Sequence, residues 1–286
     1  MHEIQKVRLE NGITLAYREY GTGDKYILST QNFYFKDCYE AMLGKEPYDY
    51  HVFLIFMRGY GESDHIFDSE PRPYTRIWGE DLVLFAKAMG IESFYYTGVS
   101  HGNFAGWYLA FHHPELIRAF ACCDGIAKFV KKPQGVIPHA GKEADWDHVA
   151  GDREALSRIA WNETWPTDDP RRLARRRQNR EEHLEILMHR KKEEFLLRNT
   201  DMSCSDAETE EEFLEDISKI PFPVLFWEGA LDPLATVEEA LKLCHRIPGA
   251  ILLTYQQLGH GGADECPELA ARDCDRFFHD VKGRIL

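Results

Sequence analysis

The chain has no apolar run near the ~18 residues that a membrane-spanning helix needs. Its opening, MHEIQKVRLENG, has no basic segment leading into an apolar one. Neither a membrane partner nor a secretory leader is expected, and the predicted location is the cytoplasm. Basic residues are also in short supply: 34 Lys and Arg stand against 48 Asp and Glu, a formal charge of −14. A phosphate backbone is gripped by a basic surface, so nucleic acid is excluded as a partner. Cysteine pairing is missing too. The seven cysteines, at positions 38, 122, 123, 204, 244, 266 and 274, are odd in number and include no CxxC. That pattern speaks against a zinc site or a disulfide framework and predicts reduced thiols. There are no internal repeats and no low-complexity linker. The 286 residues, 44% of them hydrophobic, suffice for one large α/β domain with an inserted segment.

What is present alternates. HEIQKVRLENGITLAYREYGTG reads as two strands joined at Asn11-Gly12, a strong hairpin turn. KYILSTQNF and YHVFLIFMRGYG are apolar runs that end in polar or glycine-rich loops, as buried parallel strands do, with a short helix between them from Asp37 to Leu43. Ile77, Leu82, Phe85, Ala86 and Met89 predict a helix over 73–89, stopped by Gly90. SFYYTGV is a strand, GNFAGWYLAFHHPE a helix and IRAFACCDG the sixth strand. From about 128 to 215 no strand is legible. Helices are expected there, one of them through RRLARRRQNREEHLEILMHRKKEEFLLRN. FPVLFWEG, Thr236 to Arg246, GAILLTYQQ and Pro267 to Val281 then resume the strand–helix rhythm. This order predicts a mainly parallel sheet covered by helices on both faces. The core comprises 1–127 and 216–286, and a helical segment, 128–215, interrupts it after the sixth strand.

Gly98-Val99-Ser100-His101-Gly102 falls where the fifth strand gives way to a helix. A serine hydroxyl becomes a nucleophile only when a base takes its proton and donors stabilise the oxyanion it creates. A tight strand-to-helix turn lifts the side chain off the sheet and aims the first helical N–H groups at the reacting carbon. The residues two positions either side must be small, and both are glycine: the nucleophile-elbow pattern. Asp232 follows the strand in LFWEGALDPL, and His260 follows the next strand in YQQLGHGGAD. All three lie past the C-terminal ends of strands, the edge at which open α/β sheets bind ligands.

On these residues the chain resembles the α/β-hydrolase family over nearly its whole length. It carries Gly-Val-Ser-His-Gly, Gly229-Ala-Leu-Asp232 and Gly259-His260 in the family's order, and MRGYGESD is similar to the family's Arg-Gly-x-Gly-x-Ser loop, here Arg58, Gly59, Gly61 and Ser63. The resemblance implies a Ser100–His260–Asp232 triad, an oxyanion hole built from the N–H of His101 with that of Phe33 or Asn32, and a helical cap. The expected reaction is hydrolysis of a small carboxylic ester, lactone or related carbonyl compound through an acyl-enzyme. No metal or organic cofactor is implied. The chain departs from the family pattern at STQNFYF, where Gln31 and Asn32 replace His-Gly, and at Phe56, where an Asp is common. An Asn32 side chain facing the pocket would also hold a substrate oxygen.

Some alternatives stay open. Asp124, at the end of the sixth strand, is a rival for the triad acid, and Asp232 is preferred because its loop fits the commoner arrangement. Cys122 and Cys123 read as core residues, and the side chain of His101 as packing. The arginines of 171–180, with Glu181, Glu182 and Glu185 following, predict a solvated helix face. Trp146, Trp161 and Trp165 either line a substrate pocket or pack the insertion onto the core. The same triad in relatives also cleaves carbon–carbon bonds, forms peracids, or persists in ligand-binding receptors. A serine nucleophile argues against dehalogenase or epoxide hydrolase chemistry, which uses aspartate. Oligomeric state is not legible.

Overall fold

The opening hairpin turns where Asn11-Gly12 predicts. Gly12 takes a left-handed φ of 84°, and the Leu9 N–H donates to Ile13 O at 2.7 Å. The protein is described by a computed structural model over residues 3–66, 72–130, 142–161, 165–196 and 203–280. The hairpin joins β1 (Gln5–Arg8) to β2 (Thr14–Tyr20). β3 (Lys25–Gln31), α1 (Tyr39–Leu43) and β4 (Tyr50–Phe56) follow. Next come α2 (Tyr74–Ala88), β5 (Phe94–Val99), α3 (Asn103–His112) and β6 (Ile117–Cys123). α4 (Lys142–Val149), α5 (Arg153–Ser157), α6 (Pro170–Met188), α7 (Lys192–Leu196) and α8 (Glu210–Ser218) occupy the stretch before β7 (Val224–Gly229). α9 (Val237–Cys244), β8 (Ile251–Tyr255), α10 (Gly262–Glu265) and α11 (Pro267–Asp280) complete the chain. The predicted end of the last helix at Val281, and the first part of the expected insertion, 131–141, lie outside the described residues.

The eight strands form one sheet in the order β1-β2-β4-β3-β5-β6-β7-β8. β1–β2 and β2–β4 are antiparallel and every other pairing is parallel. The parallel strands are apolar almost throughout because both faces are covered. Trp78, Phe85 and Trp107 of α2 and α3 fill one face. Tyr39 and Phe278, from α1 and α11, fill the other. Each such side chain contributes on the order of 2–3 kcal/mol by leaving water.

The helix expected through 171–199 is two helices. α6 closes at His189, whose N–H donates to Glu185 O and Ile186 O. α7 then starts where Glu194 accepts the Lys191 N–H at 3.4 Å and the Gly61 N–H at 3.2 Å. The arginine face is solvated only in part: Arg171, Arg177 and Arg180 are exposed as expected, while the other three turn to the core. Arg172 and Arg176, with side chains 11% and 12% exposed, both reach the buried Glu265, and Arg175 reaches Asp37 and Glu268. Spacing along a helix reveals partners on the same helix but not those on the core beneath it. The boundary expected at 215 falls inside α8, whose Phe213 and Ile217 join the same core cluster as Trp107.

Candidate active site

Ser100 leaves β5 with a φ of 46°, a left-handed conformation that side chains rarely adopt. Two close approaches hold the turn. A Cβ on Gly98 would lie 2.9 Å from the Gly102 carbonyl carbon, and one on Gly102 would lie 2.4 Å from Thr30 O. The end of β3 locks the turn from the side. Gln31 Nε2 donates to Val99 O at 2.8 Å, and the Tyr96 hydroxyl, paired with Thr30 Oγ1 at 2.8 Å, donates to Gly102 O at 2.6 Å. Sequence reasoning took Gln31 only as a departure from His-Gly. A polar amide at a buried strand end was the signal that it has hydrogen bonds to make.

Ser100 Oγ lies 2.7 Å from His260 Nε2, and His260 Nδ1 lies 2.8 Å from Asp232 Oδ2. A carboxylate only accepts, so the imidazole carries its proton on Nδ1 and presents a lone pair to the serine hydroxyl. Asp232 is fixed in turn by the N–H groups of Leu234 and Ala235, at 2.7 and 3.0 Å to Oδ1. The His260 side chain is 28% exposed and that of Asp232 0%. The imidazole thus faces the cavity while the carboxylate behind it is dry. Asp124 stands one residue past β6 with a φ of 48°, and its Oδ2 accepts the Ala263 N–H at 2.9 Å.

The two loops expected to supply oxyanion donors differ in state. The His101 ring sits among Trp78, Tyr60 and Phe104, with centroids 5.1 to 6.1 Å away. Burial, with Arg190 adding, lowers its pKa to about 4, which keeps it neutral. The Asn32 N–H is already engaged, donating to Gln31 Oε1 at 3.0 Å. The Phe33 ring stacks on His183 of α6, centroids 4.3 Å apart and planes 15° apart.

A cavity of about 310 Å³ opens on Ser100 and His260, with Phe104, Trp107, Ile126, Leu234 and Cys204 among its walls. Burial pushes the Cys204 thiol up to about 12, which leaves it inert. Neither Asn32 nor any of Trp146, Trp161 and Trp165 borders this cavity. Trp146 lies on α4. Trp161 and Trp165 instead pack directly against Gly261 and Gly259, either side of His260. Glycine leaves the space that their indoles fill, so these tryptophans shape the histidine loop rather than the cavity wall.

Behind Asp232 lies a second group of acids. One carboxyl oxygen each of Asp124, Glu228 and Asp232, all buried, falls within 4.8 Å of the others, the single such His/Cys/Asp/Glu grouping among the described residues. Glu228 is fully buried, and sequence reasoning passed over it as a strand residue.

A parallel sheet with a left-handed serine at its fifth strand end and an Asp–His pair from the last two loops defines an α/β protein of the nucleophile-elbow class. The chain belongs to the alpha/beta hydrolase fold family, whose profile matches residues 32–265. Among solved structures it is similar to a hydrolase from Pseudomonas aeruginosa, with 21% identity, a TM-score of 0.67, and coverage of 96% of this chain and 98% of that one. An enol-lactonase from Burkholderia xenovorans shares 19% identity at a TM-score of 0.68, covering 98% and 100%. An esterase from Rhodococcus sp. shares 18% at 0.68, covering 97% and 99%. At these identities the likeness is one of fold. No curated protein matches the chain. No helix among the described residues is long and apolar enough to cross a membrane.

Proposed function

We propose that the protein is a serine hydrolase that cleaves a small carboxylic ester or lactone through an acyl-enzyme. The observation that carries this reading is the unbroken chain Ser100 Oγ–His260 Nε2 and His260 Nδ1–Asp232 Oδ2, at 2.7 and 2.8 Å. Ser100 Oγ attacks the carbonyl carbon while its proton passes to His260 Nε2, and Asp232 stabilises the imidazolium that forms. The N–H of His101, first in the turn after the nucleophile, and that of Phe33 hold the tetrahedral oxyanion. His260 then protonates the departing alkoxide, leaving the acyl group on Ser100. In a lactone that alkoxide stays tethered to the acyl chain. Water, deprotonated by the same nitrogen, attacks the acyl carbon and frees the acid and Ser100.

The apolar walls around Ser100 and His260 suit an uncharged acyl or alkyl group. Ester or lactone hydrolysis is the reaction proposed, and an enol-lactonase and an esterase share this fold. The residues between β6 and β7 act as a cap, resting on the Phe33 loop through His183 of α6 and on the histidine loop through Trp161 and Trp165, which precede α6. The working location is the cytoplasm, where the cysteines stay reduced. The test is a screen of p-nitrophenyl esters and lactones together with labelling by a fluorophosphonate. Turnover and labelling that Ser100→Ala abolishes together support the reading. Hydrolysis that survives in that variant refutes it.

A further inference from the structure

β7 delivers two acids to one buried spot: Glu228 in its penultimate position and Asp232 in the turn that follows. Asp124 meets them from the end of β6, with one oxygen of each within 4.8 Å of the others. Their hydrogen-bond supply is unequal. Asp232 takes the N–H groups of Leu234 and Ala235 and the ring of His260. Asp124 takes the Ala263 N–H at 2.9 Å. Glu228 has only a long contact from the Gly125 N–H, 3.3 Å to Oε1, and its Oε2 has no partner among the described residues.

Three ionised carboxylates this close, and this dry, repel one another unless something positive joins them. Lys128, on the same cavity wall as Asp124, does not: its Nζ is held by Leu234 O at 2.7 Å, with Glu239 3.8 Å away at the surface. The His260 ring, hydrogen-bonded to Ser100 on its far side, meets Asp232 at 2.8 Å. A divalent cation prefers several free oxygen lone pairs. Here each acid already accepts a backbone N–H on one of its oxygens, which leaves fewer lone pairs for an ion. A proton needs only one of the oxygens.

We propose that Glu228 is a neutral carboxylic acid whose proton faces the Asp124 and Asp232 carboxylates, and that it is a positioning residue for Asp232. The group then carries two negative charges instead of three, and the charge of Asp232 is left to pair with His260. Through the Gly125 contact the same side chain ties the start of the cavity wall at 125–128 to the strand that carries the acid. Burial, with Asp124 and Asp232 adding, raises Glu228 well above the ordinary glutamate value of 4.5. The Cys122 thiol beside it is raised as well, so it adds no charge at neutral pH. The protonation rests on this geometry, whereas the positioning role rests on the reading of Asp232 as the triad acid.

Urea unfolding of the full chain between pH 5 and 7 separates the possibilities. An unfolded glutamate releases its proton above about 4.5, and a folded Glu228 that keeps it makes wild type lose stability as the pH rises. Glu228→Gln has no proton to release. Its folding equilibrium constant, relative to wild type, is expected to grow about tenfold per pH unit across this window. A ratio that stays flat or falls overturns the proposal, because Glu228 would then be ionised in the folded protein. Asp124→Asn supplies a second arm should the glutamine variant fail to fold. With one neighbouring charge removed, it is expected to flatten the wild-type dependence, and an unaltered slope counts against the cluster. Stabilisation of wild type by millimolar Ca²⁺ or Mg²⁺ would also overturn the proposal, in favour of a cation. For the positioning role, the acid limb of kcat/KM on a p-nitrophenyl ester is read in two variants. Glu228→Gln, which keeps a donor, holds the limb at its wild-type position, while Glu228→Ala moves it upward by half a pH unit or more. Equal behaviour of the two refutes that role. Absence of any ester or lactone turnover refutes the proposed function while leaving the stability arm intact.

Discussion

Replacing His183 tests whether the insertion helps to build the oxyanion loop or merely lies over it. Its imidazole stacks on Phe33 at 4.3 Å, and its Nδ1 accepts the Trp161 N–H at 2.6 Å. His183→Phe keeps a flat ring and removes the acceptor, which leaves the Trp161 N–H without that partner and costs about 1–3 kcal/mol. His183→Ala loses the stack as well, a further ~0.5–1.5 kcal/mol. Burial, with Arg190 adding, lowers the pKa of His183 from 6.5 to about 4. Its neutral form therefore contributes stability that is fully present above pH 6.5 and is lost as the pH falls through 4. Holding the ring neutral over that window corresponds to about 3 kcal/mol. Urea unfolding of wild type and His183→Phe should differ by about 1–3 kcal/mol at pH 7.5 and converge toward pH 4.5. On p-nitrophenyl acetate, kcat should fall about tenfold or more in the alanine variant and less in the phenylalanine variant, because a displaced oxyanion donor is costly. If His183→Ala hydrolyses at the wild-type kcat, the stack does not position the Phe33 loop.

Other substitutions probe the remaining parts of the site. Asp232→Asn should lower kcat by about 10³-fold or more, and Asp124→Asn should cost far less; the opposite ranking in the same esterase assay would move the acid to the end of β6. Gln31→Leu leaves Val99 O and the Asn32 N–H without the partners they have now. It should cost about 2–4 kcal/mol in urea unfolding and depress kcat through the serine turn, and a variant with unchanged stability would show that the amide does not brace the turn. Burial raises Glu40 from 4.5 to about 7, so wild type loses stability as the pH rises across that interval. Glu40→Gln should match wild type near pH 4 and exceed it by up to about 3 kcal/mol at pH 7, and an equal gap at both values would contradict a neutral Glu40.

The strands were legible because parallel strands buried on both faces read as continuous apolar runs, such as VFLIF and VLFW. The ends of those runs located Ser100, Asp232 and His260 on one edge. The side chains that brace them were not legible, because each acts across the chain. Gln31 reaches 68 residues along to Val99, and Glu228 meets Asp124 from the neighbouring strand. Helical periodicity reported the arginines of α6 as a face, and only the packed structure supplies Glu265 beneath it. Trp161 and Trp165 were recognised as large apolar groups, yet their destination was set by two glycines about a hundred residues away, at 259 and 261.

Helix α6 touches the Phe33 loop and the His260 loop at once. Toward one side it holds the Lys36 N–H through Glu182 at 2.8 Å and the Phe33 ring through His183. Toward the other, Asn179 donates to Asp264 O at 2.9 Å, and Arg172 grips Glu265 and Gln257 O. Such a helix cannot swing clear as a hinged door without releasing the Phe33 loop and the His260 loop together. Chimeras follow the same constraint. Exchanging this insertion with that of another member of the fold family would transplant half of two interlocking joints. A functional hybrid requires the loops around Phe33 and His260 to travel with the helix as one cassette.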